Sequence, residues 1–295
     1  MSQAPPPNAA SSSKPPPPVV RAEGVGVCFR VANPQAAGRG IAGRWLKPRQ
    51  PFWALRDVSF EVPHGSMFFI IGRNGAGKTT LLRVLAETLE PDAGTLSFTG
   101  KVTAFLSMGL GFNPELTGKD NLEMALTLMG VDRATFPERR AEIDDFTKLG
   151  PFLDMPIKTY SAGMRARLGF AIATSVEPEV LIMDEVINAG DEQFREAARK
   201  RLQTMLGKAR AIIVATHGLR QVTDQGHAAM WIEAGRVQAC GKTEEVVTTY
   251  RRFVKAVRND PFYDARARAA RFAGESPPIP ANLSATPLDP VVPVD

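Results

Sequence analysis

The stretch of sequence that decides the fold is Gly72-Arg-Asn-Gly-Ala-Gly-Lys-Thr79. It follows the apolar run of residues 67–71 and precedes a helix-forming run at residues 81–89. A glycine-rich loop between a strand and a helix is the pattern of a P-loop, in which backbone N–H groups and the helix N-terminus bind phosphate. The pattern predicts that Lys78 contacts the β- and γ-phosphates of a nucleotide and that the Thr79 hydroxyl is a ligand of Mg²⁺.

On both sides of this loop, short β-branched and aromatic runs alternate with helical patterns, which predicts an α/β fold. Strands are expected at residues 24–31, 57–62, 67–71, 95–98, 102–106, 180–184, 211–216, 227–233 and 236–239. Helices are expected at residues 78–89, 118–129, 137–149, 161–176, 191–206 and 243–257. Residues 107–176 carry almost no strand pattern, so we expect a helical subdomain inserted into the sheet domain.

Proline content sets the expected limits of the folded domain. Seven of the first twenty residues are proline, a composition that favours extended, solvated backbone over packing. We therefore expect a disordered leader at residues 1–21 and one folded domain at residues 22–258. Residues 259–295 are basic and then rich in proline, and we expect this tail to be disordered as well.

Charge, cysteine content and hydropathy exclude several classes of protein. The net charge of +5, from 36 basic and 31 acidic residues, is too mild for a dedicated nucleic-acid binder, so no nucleic-acid partner is expected. Two cysteines, Cys28 and Cys240, cannot build a multi-bridge disulfide framework or a multi-cysteine zinc site. No apolar run approaches the roughly 18 uncharged residues of a membrane span, so the chain is expected neither to cross a membrane nor to be exported.

Two later strands deliver polar side chains at their C-terminal ends, where open parallel sheets bind ligands. Asp184 and Glu185 follow the apolar run that begins at Val180; Asp184 is expected to hold Mg²⁺ and Glu185 to act as general base toward water. His217 follows the apolar strand at residues 211–216 and could bond the γ-phosphate. A paired acid that caps a helix, or a histidine with a purely structural role, would fit these two patterns equally well if each stood alone.

A second helix N-terminus could bind the same kind of ligand. The sequence Tyr160-Ser-Ala-Gly163-Met-Arg opens a long helical run, and Ser161 is a favoured residue for capping it. Capping alone would explain Ser161. The free N–H groups of the first turn, next to Gly163, would nevertheless form a second anion-binding position.

The ordered set GRNGAGKT, SAGMR, LIMDE, Asp191 and His217 resembles the nucleotide-binding subunit of ABC transporters. The resemblance implies an ABC-type P-loop domain with a mixed sheet core and an inserted helical subdomain. It also implies ATP and Mg²⁺ as cofactors and a homodimer that shares two ATP sites. Matched by position, the implied catalytic residues are Lys78, Glu185 and His217, and the implied metal ligands are Thr79 and Asp184. The implied nucleotide-binding residues are Phe29, Gly72, Asn74, Gly75, Ala76, Gly77, Lys78, Thr79, Thr80, Ser161, Gly163 and Asp191.

Further segments are similar to a narrower group, the ATPases that export capsular polysaccharide, O-antigen or teichoic acid. The matching text lies at residues 52–60, 109–118, 154–167 and 189–194. This resemblance implies a peripheral ATPase at the cytoplasmic face of the inner membrane, with integral membrane permease subunits as partners and a lipid-linked polysaccharide as the indirect substrate. An ATPase of a drug or lipid exporter, and an ABC-type ATPase without a role in transport, are the alternatives.

Two positions depart from the family pattern. Ser107 stands where most ABC ATPases have a glutamine that binds Mg²⁺, so no metal contact is assigned to it. Residues 33–50 contain Arg39, Arg44, Lys47 and Arg49 without an acidic residue. This basic segment is either a solvated loop or an interface for membrane headgroups or an anionic polymer linker.

Overall fold

The computed structural model describes residues 17–32, 49–105, 112–176, 178–184, 191–278 and 280. Glu185, Ser107 and residues 33–48 of the basic segment lie outside the described residues, as do residues 1–16 and 281–295. The described part contains the whole P-loop and the strand that ends at Asp184.

The strands form two sheets. They are β1 (Val20–Ala32), β2 (Arg49–Val62), β3 (Ser66–Ile71), β4 (Ala93–Phe98), β5 (Val102–Phe105), β6 (Val180–Asp184), β7 (Ala211–Ala215), β8 (Ala228–Glu233) and β9 (Arg236–Lys242). The larger sheet has the order β5-β6-β7-β3-β8-β9, and the smaller has the order β2-β1-β4. All neighbours in the larger sheet are parallel except β8 and β9, whereas the smaller sheet is antiparallel. The mixed sheet core that the sequence predicts is confirmed.

The helices surround the larger sheet and build a separate layer. They are α1 (Lys78–Leu85), α2 (Gly118–Leu128), α3 (Phe136–Thr147), α4 (Ala162–Ala173), α5 (Glu192–Leu206), α6 (Leu219–Gln225), α7 (Thr243–Arg258) and α8 (Tyr263–Ala273). None of the helices in the described part of the chain combines the length and the apolar character needed to cross a bilayer.

The central strands are buried because both faces of the larger sheet are covered. Every residue of β3, β7 and β8 is buried, as expected for a parallel sheet, whose strands are apolar on both faces. One face packs against α1 and the antiparallel sheet. The other face packs against α5, α7 and α8. This double cover fixes the positions of the strand ends that carry the P-loop and Asp184.

The inserted helical subdomain consists of α2, α3 and α4, which share a hydrophobic cluster of their own. Phe146 of α3 and Phe170 of α4 both pack against Phe194 of α5, with ring centroids 5.6 and 5.8 Å apart. Thr117 and Asp120 start α2 with a reciprocal capping box, which satisfies backbone N–H groups at the helix start. The Phe194 ring, packed edge-on against the other two rings, joins the helical layer to the sheet domain.

The prediction that residues 259–295 are disordered is wrong for α8. Its sequence contains three arginines, but Tyr263, Ala267 and Ala270 are buried. Their spacing of four and three residues forms one apolar face of a helix, while the arginines occupy other positions. A short apolar face suffices here because the sheet domain supplies the surface that covers it.

Several element boundaries also differ from expectation, and one helix was not expected. Strand β2 begins at Arg49 rather than at residue 57, and β1 begins at Val20, before the expected start of the domain. The first half of β2 contains Pro51, which sequence patterns treat as a strand breaker. Because β2 is an edge strand of the smaller sheet, it tolerates a proline without losing its pairing to β1. The helix α6 was not predicted from sequence at all.

Aromatic and charged contacts hold α8 against the domain. The Tyr263 ring packs on Phe253 of α7 with centroids 5.4 Å apart, and the Arg73 guanidinium carbon lies 5.6 Å from the Tyr263 ring centroid. Arg73 also forms an ion pair of 2.8 Å with Asp264 and lies 3.7 Å from a carboxylate oxygen of Glu233. Arg73, in the P-loop, therefore joins α8 to the end of β8.

Glu233 is a buried acid in this contact region. Its pKa is raised to about 7, mainly by burial; Arg73 lowers the pKa, the nearby charge of Asp264 raises it, and Lys78 and Arg271 lower it. Loss of hydration dominates because only a small part of the side chain reaches solvent. The folded protein therefore holds a proton on Glu233 over a pH range in which the unfolded chain releases it.

Replacing Glu233 with Gln should change how the free energy of unfolding depends on pH. The native pKa of Glu233 lies above the ordinary value of 4.5. Its contribution to the stability of the folded wild type is therefore fully present at low pH and is lost as the pH rises toward about 7. Glu233→Gln cannot titrate, so its stability relative to the wild type should increase across this window. Urea unfolding at several pH values measures the difference. The exposed Glu244→Gln is the matched control, and parallel pH profiles for wild type and Glu233→Gln would contradict the assignment.

Candidate nucleotide-binding site

Three parallel strands end side by side at one edge of the larger sheet. Asp184 of β6 lies opposite Ala215 of β7, and Ala215 lies opposite Ile70 of β3. Neighbouring strands are separated by about 4.8 Å, so the residues that follow them converge. This register brings together the P-loop after β3, Asp184 at the end of β6 and His217 after β7, at the edge where open parallel sheets bind ligands.

Lys78 spans the opening of the P-loop. It is the first residue of α1, and its Nζ donates to the carbonyl oxygens of Gly72 at 2.7 Å and Arg73 at 3.1 Å. Both acceptors belong to the loop itself, so the ammonium group is held within the loop. A phosphate bound there can replace these carbonyls as the partner of the ammonium group.

Two loop positions require glycine for steric reasons. A Cβ atom on Gly72 would lie 2.2 Å from the Ile232 carbonyl oxygen. A Cβ on Gly77 would lie 3.0 Å from the Ala54 carbonyl oxygen, and Gly77 has a φ of +117°. The loop is thus pressed between β8 on one side and β2 on the other, which fixes the backbone that would bind phosphate.

The remaining P-loop positions differ in exposure. Asn74 and Gly75 form the exposed tip of the loop, Ala76 is buried and Thr80 is half-buried in the first turn of α1. The tip can therefore contact a bound nucleotide, whereas Ala76 anchors the loop. The carbonyl of Ala76 accepts a 2.7 Å hydrogen bond from Gly235.

Thr79 and Asp184 form a pair of oxygen donors beside the P-loop. The Thr79 Oγ1 lies 3.4 Å from the Asp184 Oδ2, although 105 residues separate them in the chain. A hydroxyl and a carboxylate are the hard oxygen ligands that Mg²⁺ accepts together with phosphate oxygens and water. The two side chains that the sequence predicts as metal ligands therefore fit a magnesium ion bound with a nucleotide.

His217 lies at the same edge of the sheet as the P-loop. The Thr216 N–H donates to the carbonyl of Ile70 at 3.1 Å, which extends the β7–β3 pairing by one residue. The next residue, His217, is exposed. Its imidazole is thus carried by a segment bonded to the strand that leads into the P-loop, and it can reach a ligand from solvent.

Phe29 offers an aromatic surface on β1. It lies opposite Phe52 in the antiparallel pairing with β2, and 40% of its surface is exposed. Directly opposed residues of antiparallel strands share one face of the sheet. An exposed ring of this kind can stack on a nucleotide base.

Ser161 and Gly163 mark the N-terminus of α4 in the helical layer. Ser161 is the N-cap residue, and its Oγ accepts a hydrogen bond from the Met164 N–H at 3.2 Å. A Cβ on Gly163 would meet only Ser161 Oγ, at 3.8 Å. Packing among the described residues therefore does not require glycine at position 163.

Asp191 has a structural role within the described chain. It caps α5 by accepting a 2.9 Å bond from the Phe194 N–H, and it accepts a 2.5 Å bond from Arg167 of α4. The Phe194 hydrogen bond and then the Arg167 guanidinium lower the pKa of Asp191. The carboxylate is consequently ionised at neutral pH and ties the start of α5 to the helical layer.

The structure brings Lys78, Thr79 and Asp184 into one cluster and places His217 at the same sheet edge. Ser161 and Gly163 lie in a different layer, at the N-terminus of α4, whereas the P-loop leads into the N-terminus of α1. Sequence reasoning missed Arg271, which donates to the P-loop carbonyl of Gly75 at 2.7 Å. Arg271 directly follows Ala270 and belongs to no motif, so only the spacing of the buried Ala267 and Ala270 in α8 indicates that this helix packs against the domain.

Comparisons with known proteins identify the family. The family model described as "ABC transporter" matches residues 55–188. The "O-antigen export system ATP-binding protein RfbB" of Klebsiella pneumoniae is 36% identical over 228 residues, covering 77% of this chain and 90% of that protein. The protein of the same description from Myxococcus xanthus is 37% identical over 214 residues, 70% of this chain and 49% of that one. The "Teichoic acids export ATP-binding protein TagH" of Lactococcus lactis is 32% identical, over 74% of this chain and 46% of that one. The chain thus spans about half the length of the Myxococcus and Lactococcus relatives.

Solved structures share the fold. A dimeric ATP-binding cassette in a post-hydrolysis state, MJ0796 bound to ADP and Pi, superposes with a TM-score of 0.63 at 19% identity, over 76% of this chain and 98% of that one. An ATP-binding subunit of an ABC transporter superposes with a TM-score of 0.64 at 22% identity, over 79% of this chain and 93% of that one. At these identities the likeness establishes the fold, and the predicted ABC-type architecture is confirmed. Together with the Klebsiella relative, matched over nine-tenths of its length, this shows that the chain belongs to the ABC transporter family of ATP-binding proteins.

Proposed function

We propose that this chain is the ATP-hydrolysing subunit of an ABC exporter that moves a lipid-linked polysaccharide, such as an O-antigen or a capsule, across the inner membrane. The observation that carries the proposal is the 3.4 Å approach of Thr79 Oγ1 to Asp184 Oδ2 beside the P-loop. That pair is the metal-nucleotide site of an ATPase. The similarity to export ATP-binding proteins, over 77% of this chain for the Klebsiella relative, supports the choice of substrate.

The P-loop binds and orients the triphosphate. Backbone N–H groups between Gly72 and Thr79 donate to phosphate oxygens, helped by the field at the start of α1. Lys78 exchanges its two loop carbonyls for the β- and γ-phosphates, while Phe29 stacks on the base. Thr79 and Asp184 would hold Mg²⁺, which neutralises charge that develops on the phosphate oxygens.

The start of α4 completes the site from a second copy of the chain. Ser161 and the N–H groups of the first turn would donate to the γ-phosphate bound by the partner. The space around Gly163 supports this role, since packing among the described residues does not explain a glycine there. Asp191, at the start of α5 and tied to α4 through Arg167, would link the two sites of the homodimer.

Hydrolysis is proposed to use Glu185 as the general base toward water and His217 as a donor to the γ-phosphate. Both follow strands whose ends the register aligns with the P-loop. Lys78 and the N-terminus of α4 from the partner chain stabilise the charge of the transition state. Hydrolysis therefore requires that two chains have associated.

The proposed partners are integral membrane permease subunits, and the proposed location is the cytoplasmic face of the inner membrane. Relatives named for the export of O-antigen and of teichoic acids support this choice of partners and location. The basic segment at residues 33–50 is a proposed contact with membrane headgroups or with an anionic polymer linker.

Replacing Lys78 with Ala should weaken ATP binding by at least about tenfold, because a buried phosphate would lose its charged partner. Isothermal titration with ATP and Mg²⁺ measures the dissociation constant. Lys101→Ala, which removes an exposed lysine before β5, is the matched control and should bind as the wild type does. An unchanged dissociation constant for Lys78→Ala would rule out the proposed phosphate site.

Replacing Glu185 with Gln should permit ATP binding and trap a dimer while abolishing turnover, because the carboxamide cannot accept a proton. Light scattering after gel filtration measures the mass with and without ATP, and phosphate release measures turnover. In cells, the variant should stop delivery of the polysaccharide to the surface and leave its lipid-linked form inside. Near-normal hydrolysis would reject the role of Glu185, and normal surface polysaccharide in a null strain would reject the substrate class.

A further inference from the structure

The helix α8 lies against the outside of the P-loop. The Arg271 guanidinium donates to the carbonyl of Gly75 at 2.7 Å, of Trp53 at 2.9 Å and of Ala54 at 2.9 Å. The guanidinium carbon also lies 4.3 Å from the centroid of the Phe52 ring. One side chain of α8 therefore joins the start of β2 to the tip of the P-loop.

This contact fixes the orientation of peptide groups in the loop. The N–H and C=O of a trans peptide point in opposite directions, so a carbonyl held from outside directs the next N–H away from that side. Arg271 holds the Gly75 carbonyl, and the N–H of the same peptide, that of Ala76, donates to the Arg73 carbonyl at 3.1 Å, so the two bonds together fix the turn of the loop. Gly235 donates to the Ala76 carbonyl at 2.7 Å. The Gly77 N–H consequently points to the side of the loop away from Gly235.

The chemistry of the contact is specific to arginine. Burial lowers the pKa of Arg271 to about 10, so the group stays charged at neutral pH and needs partners. The three carbonyls supply them. Lysine has the charge but no planar fork, and it cannot donate to three carbonyls in this arrangement.

The same helix borders a cavity of about 450 Å³ next to the loop. Cavities of this size hold small molecules of nucleoside dimensions. Its walls come from the P-loop tip, the β1–β2 pair, the end of β8 and α8, and they include Phe52, Glu233, Arg271 and Phe272.

Two features of this cavity indicate an aromatic, hydrogen-bonding ligand. Phe52 lies opposite Phe29 in the β1–β2 pairing, and its ring packs edge-on against Phe272 of α8 with centroids 5.1 Å apart. The buried Glu233 Oε2 has no hydrogen-bond partner among the described residues, so it offers an acceptor to a hydroxyl or amino group. A base and ribose bound next to Phe29 would contact the Phe52 ring and could form a hydrogen bond with Glu233.

We propose that α8 is part of the nucleotide site, with Arg271 as a positioning residue for the P-loop and Phe272 in the wall that receives the nucleoside end. This rests on the proposed function, because it assumes that the P-loop binds ATP. Phosphate affinity should then depend on Arg271, and recognition of the nucleoside should depend on Phe272.

Titration with two ligands separates these roles. ATP contains both the phosphates and the nucleoside, whereas inorganic tripolyphosphate contains only the phosphate chain. Dissociation constants for both ligands, together with the KM and kcat of ATP hydrolysis, are measured on the full-length chain. The variants are Arg271→Lys, Arg271→Ala, Phe272→Ala and Phe272→Tyr. Arg252→Ala, an exposed arginine of α7, is the matched control, and the thermal midpoint of each variant is recorded.

Arg271→Lys and Arg271→Ala should weaken both ligands by about tenfold, the loss expected for at least one charged hydrogen bond. Phe272→Ala should weaken ATP about three- to tenfold, as expected for loss of an aromatic contact, and leave tripolyphosphate unchanged. It should raise KM more than it lowers kcat. Phe272→Tyr keeps the ring and should restore the affinity for ATP.

The proposal would be overturned if Arg271→Lys and Phe272→Ala both bound ATP and tripolyphosphate as tightly as the wild type does. The comparison requires that Lys78→Ala loses affinity for both ligands, which shows that binding occurs at the P-loop. The proposal would also be overturned if Phe272→Ala weakened the binding of ATP and of tripolyphosphate equally, because Phe272 would then affect binding only through the stability of the fold. If Arg271→Ala does not fold, Arg271→Lys and the two Phe272 variants still test the proposal. Failure of the wild type to bind either ligand would instead reject the proposed function itself.

Discussion

The structure depends on one constraint, the register of β3, β6 and β7 in the larger sheet. Because Asp184, Ala215 and Ile70 lie at the same level across three strands, the residues beyond them must meet at one edge. That is how Thr79 and Asp184, 105 residues apart in sequence, come within 3.4 Å. The helices on both faces bury the strands and prevent the register from slipping, so packing far from the site determines its geometry.

The two helix N-termini that are proposed to bind phosphate lie in different parts of the fold. The N-terminus of α1 belongs to the sheet domain, whereas that of α4 belongs to the helical layer, which is joined to it through Phe146, Phe170 and Phe194. Because the helical layer contacts the sheet domain through these aromatic rings, Ser161 and Gly163 can contact a partner chain while the P-loop keeps its conformation. ATP between two such copies would then couple binding to association, which is the mechanical step that an exporter needs.

Sequence patterns predicted the parts of the site that are local. The P-loop, the end of β6 and His217 each occupy a few consecutive residues with a characteristic order, and the structure places them at one edge. Contacts between distant segments could not be predicted. Arg271 meets Gly75 from 196 residues away, and in the sequence it is one of several arginines in a basic tail. Pro51 concealed the first half of β2, since a pattern cannot distinguish an edge strand from an interrupted one.

The central claim is that Thr79 and Asp184 together hold the metal ion of a bound nucleotide. Electron paramagnetic resonance of Mn²⁺, titrated with a non-hydrolysable ATP analogue, tests it most directly. The account predicts that the wild type binds the ion with the analogue and that Thr79→Ala and Asp184→Asn each weaken this binding at least about tenfold. Wild-type affinity and an unchanged spectrum in both variants would contradict it.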